Sequence, residues 1–162
     1  IIIPRHIDRA KNIKKLCDRF KLDIEILNKN EIILENKNII IVKAFGVLLD
    51  YFKYSKSVFI GKSTVQKLDK VSGQNPIDAV KLGCKVYHGP YVYNFKEIYD
   101  LLKKHNIAKK ITNPNELSEC LIKDLAEFKK KNKVNIVIDN LGQKTLVDTM
   151  NNINKFLFNE PK

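Results

Sequence analysis

The chain has three cysteines and three arginines in 162 residues, and no apolar run longer than Ile39-Ile40-Ile41-Val42. Each scarcity excludes something. A run of four cannot cross a bilayer as a helix, which takes about 20 apolar residues. Cys17, Cys84 and Cys120 are widely spaced and odd in number, and none has metal-ligand spacing with another or with His6, His88 or His105. Cys84 and His88 are four apart, but across an expected strand. Three unpaired thiols suggest a reducing compartment. No signal peptide is expected. The opening Ile1-Ile2-Ile3, without an initiator Met, reads as a strand in a longer protein.

The shortage of arginine bears on the charge. The net charge is +12, with 27 of the 30 basic residues Lys and only Arg5, Arg9 and Arg19 carrying a guanidinium. A basic chain invites a nucleic-acid partner. Base and phosphate recognition draws disproportionately on Arg, whose planar fork Lys lacks. The charge is also dispersed: +5 over 1–56, +3 over 57–95, +4 over 96–133 and 0 over 134–162. It reads as a solvated, lysine-rich surface with a contribution from an anionic partner, and no nucleic-acid partner is expected.

Hydrophobic residues make up 44% of the chain, enough for one buried core without disulfides or metal. Short β-rich runs alternate with helical stretches. Strands are expected at Ile1–Ile3, Leu22–Leu27, Ile39–Lys43, Ser57–Ile60, Lys85–His88 and Ile107–Ile111, with a short extra one at Glu31–Leu34 before a turn at Asn36-Lys37-Asn38. Apolar residues three or four apart predict helices over Ile7–Phe20, Gly46–Tyr54, Pro76–Leu82, Asn94–His105, Pro114–Lys131 and Lys144–Phe158, with a break at Asp139–Gly142. Strand alternating with helix argues for an α/β, three-layer fold with a mostly parallel sheet. In such folds ligands sit beyond the carboxyl ends of the strands. The loops that matter are therefore 4–6, 44–46, 61–75 and 88–95.

Those loops hold the chemistry. Asn75 suits an N-cap, Pro76 the first helical position and Asp78 the third. Two readings stay open. Asn75 and Asp78 cap the helix reciprocally, or the Gly73-bearing loop offers an anion the helix's free N–H groups. Gly61-Lys62-Ser63-Thr64 looks like the end of a phosphate-binding Walker loop, but Lys56 stands where that motif needs Gly, and the residues between form a strand. It is not a nucleoside-triphosphate site, although Lys62 remains available to an anion. Arg5, directly after the first strand, suits a phosphate or is an ordinary surface Arg. Gly89-Pro90 and Asn94-Phe95, taken alone, mark turns.

In combination these fragments are more specific. Val58-Phe59-Ile60-Gly61, the run Ser72-Gly73-Gln74-Asn75-Pro76-Ile77-Asp78-Ala79, Leu82-Gly83-Cys84-Lys85-Val86, His88-Gly89-Pro90 and Asn94-Phe95 resemble the carboxyl-terminal half of 3-deoxy-D-manno-octulosonic acid (Kdo) transferases. The opening Ile1–His6 with Arg9, and Phe45-Gly46-Val47-Leu48, match the same family. The resemblance covers roughly residues 1–125.

That resemblance implies one half of a GT-B glycosyltransferase: a Rossmann-like nucleotide-sugar domain over 1–131 with a helical extension over 132–162. It implies CMP-Kdo as donor and inverting transfer to an anionic lipid A precursor in lipopolysaccharide biosynthesis. No cofactor and no divalent metal is implied. The catalytic base, the membrane anchor and the acceptor site fall in an amino-terminal domain, its partner, at the cytoplasmic face of the inner membrane. By carry-over Arg5 meets the CMP phosphate and Gly46 approaches the nucleotide. Gly61 and Gly73 let backbone come close to the donor, Asn75 and Asp78 meet phosphate or ribose, and Lys62 and Ser63 join the same donor-binding set. This chain departs from the family's usual pattern in Asp78 for Glu, in Lys62 and Ser72 for Gly, and in Lys43-Ala44 for Asp-Thr. Those departures motivate the alternative of a diverged, non-catalytic Rossmann-like module.

Overall fold

The computed structural model describes residues 1–31, 36–71, 73–127 and 135–158. It divides into two compact units, Ile1–Tyr51 and Phe52–Lys162. The spacing puts Leu117, Leu121, Leu125 and Phe128 on one side of the helix expected over Pro114–Lys131. Of these Phe128, together with the expected boundary between 131 and 132, part of the extra strand at 31–34 and Ser72, lies outside the described residues.

In the first unit a 3-10 turn (Ile7–Arg9) leads into helix α1 (Ala10–Asp18), then strands β1 (Ile24–Asn28) and β2 (Ile39–Lys43), then helix α2 (Leu48–Tyr54), which runs into the second unit. β1 and β2 pair in parallel, Ile24 with Ile39 through Asn28 with Lys43. The middle of β2, Ile40–Val42, is buried, as its uninterrupted apolar run requires. The expected first strand is reduced to a parallel bridge between Ile2 and Ile41, in which Ile2 N–H donates to Ile40 at 2.8 Å and Val42 N–H donates to Ile2 at 2.9 Å. Leu27, Ile40, Val42 and Ala44 form the core, covered by Ile3, Val47 and Tyr51.

The second unit holds β3 (Ser57–Ile60), α3 (Ile77–Lys81), β4 (Lys85–His88), α4 (Lys96–Lys104), β5 (Ala108–Lys110), α5 (Pro114–Ala126) and α6 (Asn135–Phe158). Its sheet runs β3-β4-β5, all parallel. Where the sequence suggests one parallel sheet, the described strands form two, one in each unit. Val80, Val86, Tyr99 and Leu102 are fully or nearly fully buried at the centre of the second core. Tyr99 keeps its hydroxyl satisfied there by donating to the Gln74 carbonyl at 3.0 Å. The break expected at Asp139–Gly142 is absent, and the last helix runs unbroken from Asn135. Gly142 sits inside it, where glycine costs about 1 kcal/mol against alanine without ending a helix. Ile138 anchors that helix in the core, whereas Leu146, Val147, Met150, Ile153 and Leu157 are exposed.

Candidate functional site

Parallel pairing sends the loops after successive strands to the same sheet end. In the first unit this brings together loops 4–6 and 44–46. Arg5 is exposed and, among the described residues, has no partner. Gly46 has φ +77° and open space where a Cβ would stand. Ala44, by contrast, is a buried core residue.

In the second unit the loops after β3 and β4 are stapled together, and Ser63 is the staple. It is fully buried; its hydroxyl donates to the Ile60 carbonyl at 2.7 Å and accepts the Gly89 N–H at 2.8 Å. Its carbonyl accepts the Tyr91 N–H at 2.9 Å. Gly89 lies so close that a Cβ there would collide with the Ser63 carbonyl and stand 2.6 Å from the Thr64 methyl. The loop ahead of α3 joins them: Gly73 N–H donates to the Lys62 carbonyl at 3.4 Å, and a Cβ on Gly73 would meet the Val92 Cα at 3.0 Å. Gly61, Lys62, Ser63 and Gly73 are thus brought together at the carboxyl ends of β3 and β4. Gly61 faces open space. Lys62 adopts φ +61°, the left-handed conformation that glycine favours. Its side chain is partly exposed and unpaired among the described residues. The Ser63 hydroxyl is engaged on both sides within the loop, so its part is to hold the loop in shape.

The reciprocal cap, one of the two readings left open at Asn75 and Asp78, does not form. Pro76, not Asn75, is the N-cap, and its carbonyl accepts the Val80 N–H at 3.1 Å. Asn75 Oδ1 instead accepts the Ile77 N–H at 3.0 Å, an Asx turn. Asp78 is exposed and makes no capping bond among the described residues. The helix that follows has only five residues, so its dipole is weak, and this removes the helix-dipole argument for an anion.

Gly89-Pro90, a turn when taken alone, and His88 enter the sequence only as part of the fragment His88-Gly89-Pro90, with no site role assigned to His88. The structure places His88 at the end of β4, 6% exposed, its ring 4.3 Å from that of Tyr99. His88 Nδ1 lies 2.7 Å from the Gly89 carbonyl, which makes Nδ1 the protonated nitrogen of the neutral ring. Burial holds the His88 pKa below its ordinary value, against an opposing pull from that carbonyl and a further push from Lys110. Among the described residues no group of three or more His, Cys, Asp or Glu side chains is placed to hold a metal.

No family model matches the chain. Individual proteins do. The 3-deoxy-D-manno-octulosonic acid transferase of Haemophilus influenzae is 23% identical over 157 residues, which take in 97% of this chain and 35% of the relative. The protein of the same name from Rickettsia prowazekii is 28% identical over 121 residues, 75% of this chain and 25% of the relative. The chain resembles the Kdo transferases. Among solved structures, the C-terminal CMP-Kdo binding domain of WaaA from Acinetobacter baumannii superposes with a TM-score of 0.71 at 19% identity, covering 87% of this chain and 72% of that one. This likeness establishes the fold as α/β and Rossmann-like, built on parallel strands. The chain spans about a third of the length of its Haemophilus relative. Lys62 combines a glycine-like backbone with an ammonium.

Proposed function

We propose that this chain is the donor-binding part of a Kdo transferase, holding CMP-Kdo for transfer to an anionic lipid A precursor. The observation that carries the reading is the cluster of loops 61–64, 73–76 and 89–92, locked at the carboxyl ends of a parallel sheet. That is where doubly wound folds take nucleotides, and the relatives are Kdo transferases.

Departure of CMP leaves growing negative charge on its phosphate, and a preorganised cation stabilises it in the transition state. Arg5 serves that phosphate, with Gly46 letting the first unit's backbone approach the nucleotide. In the second unit, taken by itself, Lys62 offers an ammonium to an anionic ligand. Gly61 and Gly73 allow close approach of backbone, Ser63 holds their loop, and Asn75 and Asp78 accept from ribose hydroxyls. The catalytic base and the acceptor site come from sequence outside the chain, so the chain alone binds donor and transfers nothing. The whole enzyme works at the cytoplasmic face of the inner membrane, anchored by its other part. No described helix of this chain is long and apolar enough to cross a membrane. No cofactor is needed, so a chelator leaves CMP binding unchanged.

A CMP titration followed by amide NMR tests the reading. Residues in loops 61–64 and 73–78 shift, and Arg5→Ala weakens binding about tenfold or more, as loss of one charge-assisted hydrogen bond (~1.5–3 kcal/mol) dictates. A folded chain whose spectrum CMP leaves untouched defeats the donor site. That outcome favours the second reading, a Rossmann-like module that has lost transfer, for which buried Ala44 in place of the family's polar residue is the specific support.

A further inference from the structure

Helix α6 carries an apolar surface that donor binding does not use. Ile138 fixes its start in the second core, where α3 lies beside it. Every residue from Gly142 to Phe158 is exposed. Leu146, Val147, Met150, Ile153, Phe156 and Leu157 among them are 44% to 89% exposed. Together they present about 700 Å² of largely apolar surface, against the ~800 Å² that each partner gives to a standard interface. The largest apolar patch of an ordinary monomer is about 300–600 Å².

Spacing and charge both bear on what covers this surface. Leu146, Met150, Ile153 and Leu157 stand four, three and four apart, the alternation of a seam between two helices. The positions flanking that seam, Val147 and Asn154 on one side and Thr149 and Phe156 on the other, carry no charge. The Thr149 hydroxyl is satisfied within its own helix, donating to the Thr145 carbonyl at 2.7 Å. Helices that lie on lipid set Lys and Arg along their polar face. Here Asp148 and Lys155 are the charges within the stripe, and they cancel. The first 133 residues hold all of the +12 and the last 29 hold none, so two copies repel least along this helix.

We propose that a second copy of this chain covers the stripe, in an antiparallel α6–α6 pair. Turned end for end, the stripe matches itself. About a two-fold axis midway between Met150 and Ile153, Met150 lies against Ile153 of the other copy and Leu146 against Leu157. The outward Asp148 comes level with the other copy's Lys155, so no like charges stand side by side. A surface that complements itself is what a two-fold interface requires. The antiparallel sense also sets the two lysine-rich bodies, each joined to the start of its own α6, at opposite ends of the pair.

Sedimentation equilibrium of the 162-residue chain from ~1 to ~300 µM tests this, and a rise from one chain mass to two within that range is expected. Met150→Asp and Ile153→Lys each place a charge in the seam and weaken pairing about tenfold or more. Both positions are exposed in the single copy, so far-UV circular dichroism stays that of the parent. Mixing the two variants restores pairing, because position 150 faces position 153. Recovery by Met150→Asp with Met150→Lys instead overturns the antiparallel register. A chain that keeps one mass at every concentration overturns the pair itself, whether or not it co-sediments with vesicles of phosphatidylcholine and phosphatidylglycerol. CMP enters neither readout, so the result stands apart from the donor reading.

Discussion

Replacing Ser63 with alanine leaves the buried Gly89 N–H without its acceptor, and that loss is larger than the hydrogen bond alone would suggest. An unsatisfied buried donor costs about 1–3 kcal/mol, and urea midpoints of Ser63→Ala should show a loss of that size with an unchanged slope. Gly89→Ala attacks the same contact from the other side. It forces a methyl into the Ser63 backbone, for about 1–3 kcal/mol of overpacking or more; two neutral variants would mean the loops are not fastened here. Little of this was legible. Ser63 and Gly89 are 26 positions apart, and a hydroxyl beside Lys62 reads equally well as a ligand contact until tertiary structure turns it inward. The burial of His88 was illegible for the same reason: its neutrality comes from packing against Tyr99, not from its neighbours in the chain. Its folded pKa lies below the 6.5 of a free histidine. As pH falls through about 6.5 the unfolded chain takes up the proton first, so stability drops with pH and levels off below the folded pKa. Urea midpoints at about pH 7.5 and about pH 5.5 should differ less in His88→Gln than in the parent chain. An identical difference would remove His88 from the account.

The spelling Asn-Pro-x-acid occurs twice at helix starts, and the two outcomes show what local sequence decides in an element. At Asn113-Pro114-Asn115-Glu116 the asparagine is extended (φ −149°, ψ 162°), and its Oδ1 accepts the Glu116 N–H at 2.9 Å. Glu116 reaches back to Thr112. A thirteen-residue helix follows. At Asn75-Pro76-Ile77-Asp78 the same letters give an Asx turn and five helical residues. There Gly73 and Gln74 are held by Lys62 and Tyr99, and those bonds settle the backbone before the cap can. Asn113→Ala should therefore cost about 1 kcal/mol, the usual worth of an N-cap. Asn75→Ala should cost less, by the same denaturation measurement; equal losses would mean that both asparagines cap. Strands were read more accurately than helices. β2, β3 and β4 have the expected bounds, each an apolar run with at most one polar residue at either end, since a buried parallel strand needs little besides that run. The spacing puts Leu117, Leu121, Leu125 and Phe128 on one side of the helix expected over Pro114–Lys131, yet no residue of α5 is buried and Leu125 is 70% exposed. Polar bonds from Lys85, Tyr87 and Lys109 attach it to the sheet instead. Hydrophobic periodicity cannot register bonds of that kind. The Asp124 carboxyl at their centre feels burial most strongly, but its bonds from Tyr87, Lys85 and Ser57 outweigh burial and keep its pKa below the ordinary value.

Across the whole molecule a net charge of +12 and the proposed donor site make opposite demands on salt dependence. Phosphate backbones bound by many lysines release many counterions, and such binding falls by about 10³-fold or more between ~50 and ~200 mM salt. CMP carries one phosphate and engages few cations, so its affinity should fall far less over the same range. Oligonucleotide binding followed by fluorescence anisotropy, beside CMP titrations in the same buffers, separates the two. The lysines are spread along the chain, and the first 133 residues carry all the net charge while the last 29 carry none. That dispersion predicts weak, sequence-blind oligonucleotide binding that is gone at ~200 mM salt, leaving CMP binding in place. If oligonucleotide affinity survived that salt and exceeded CMP affinity, the basic surface itself would be the functional feature, and the locked loops after β3 and β4 would be scaffold.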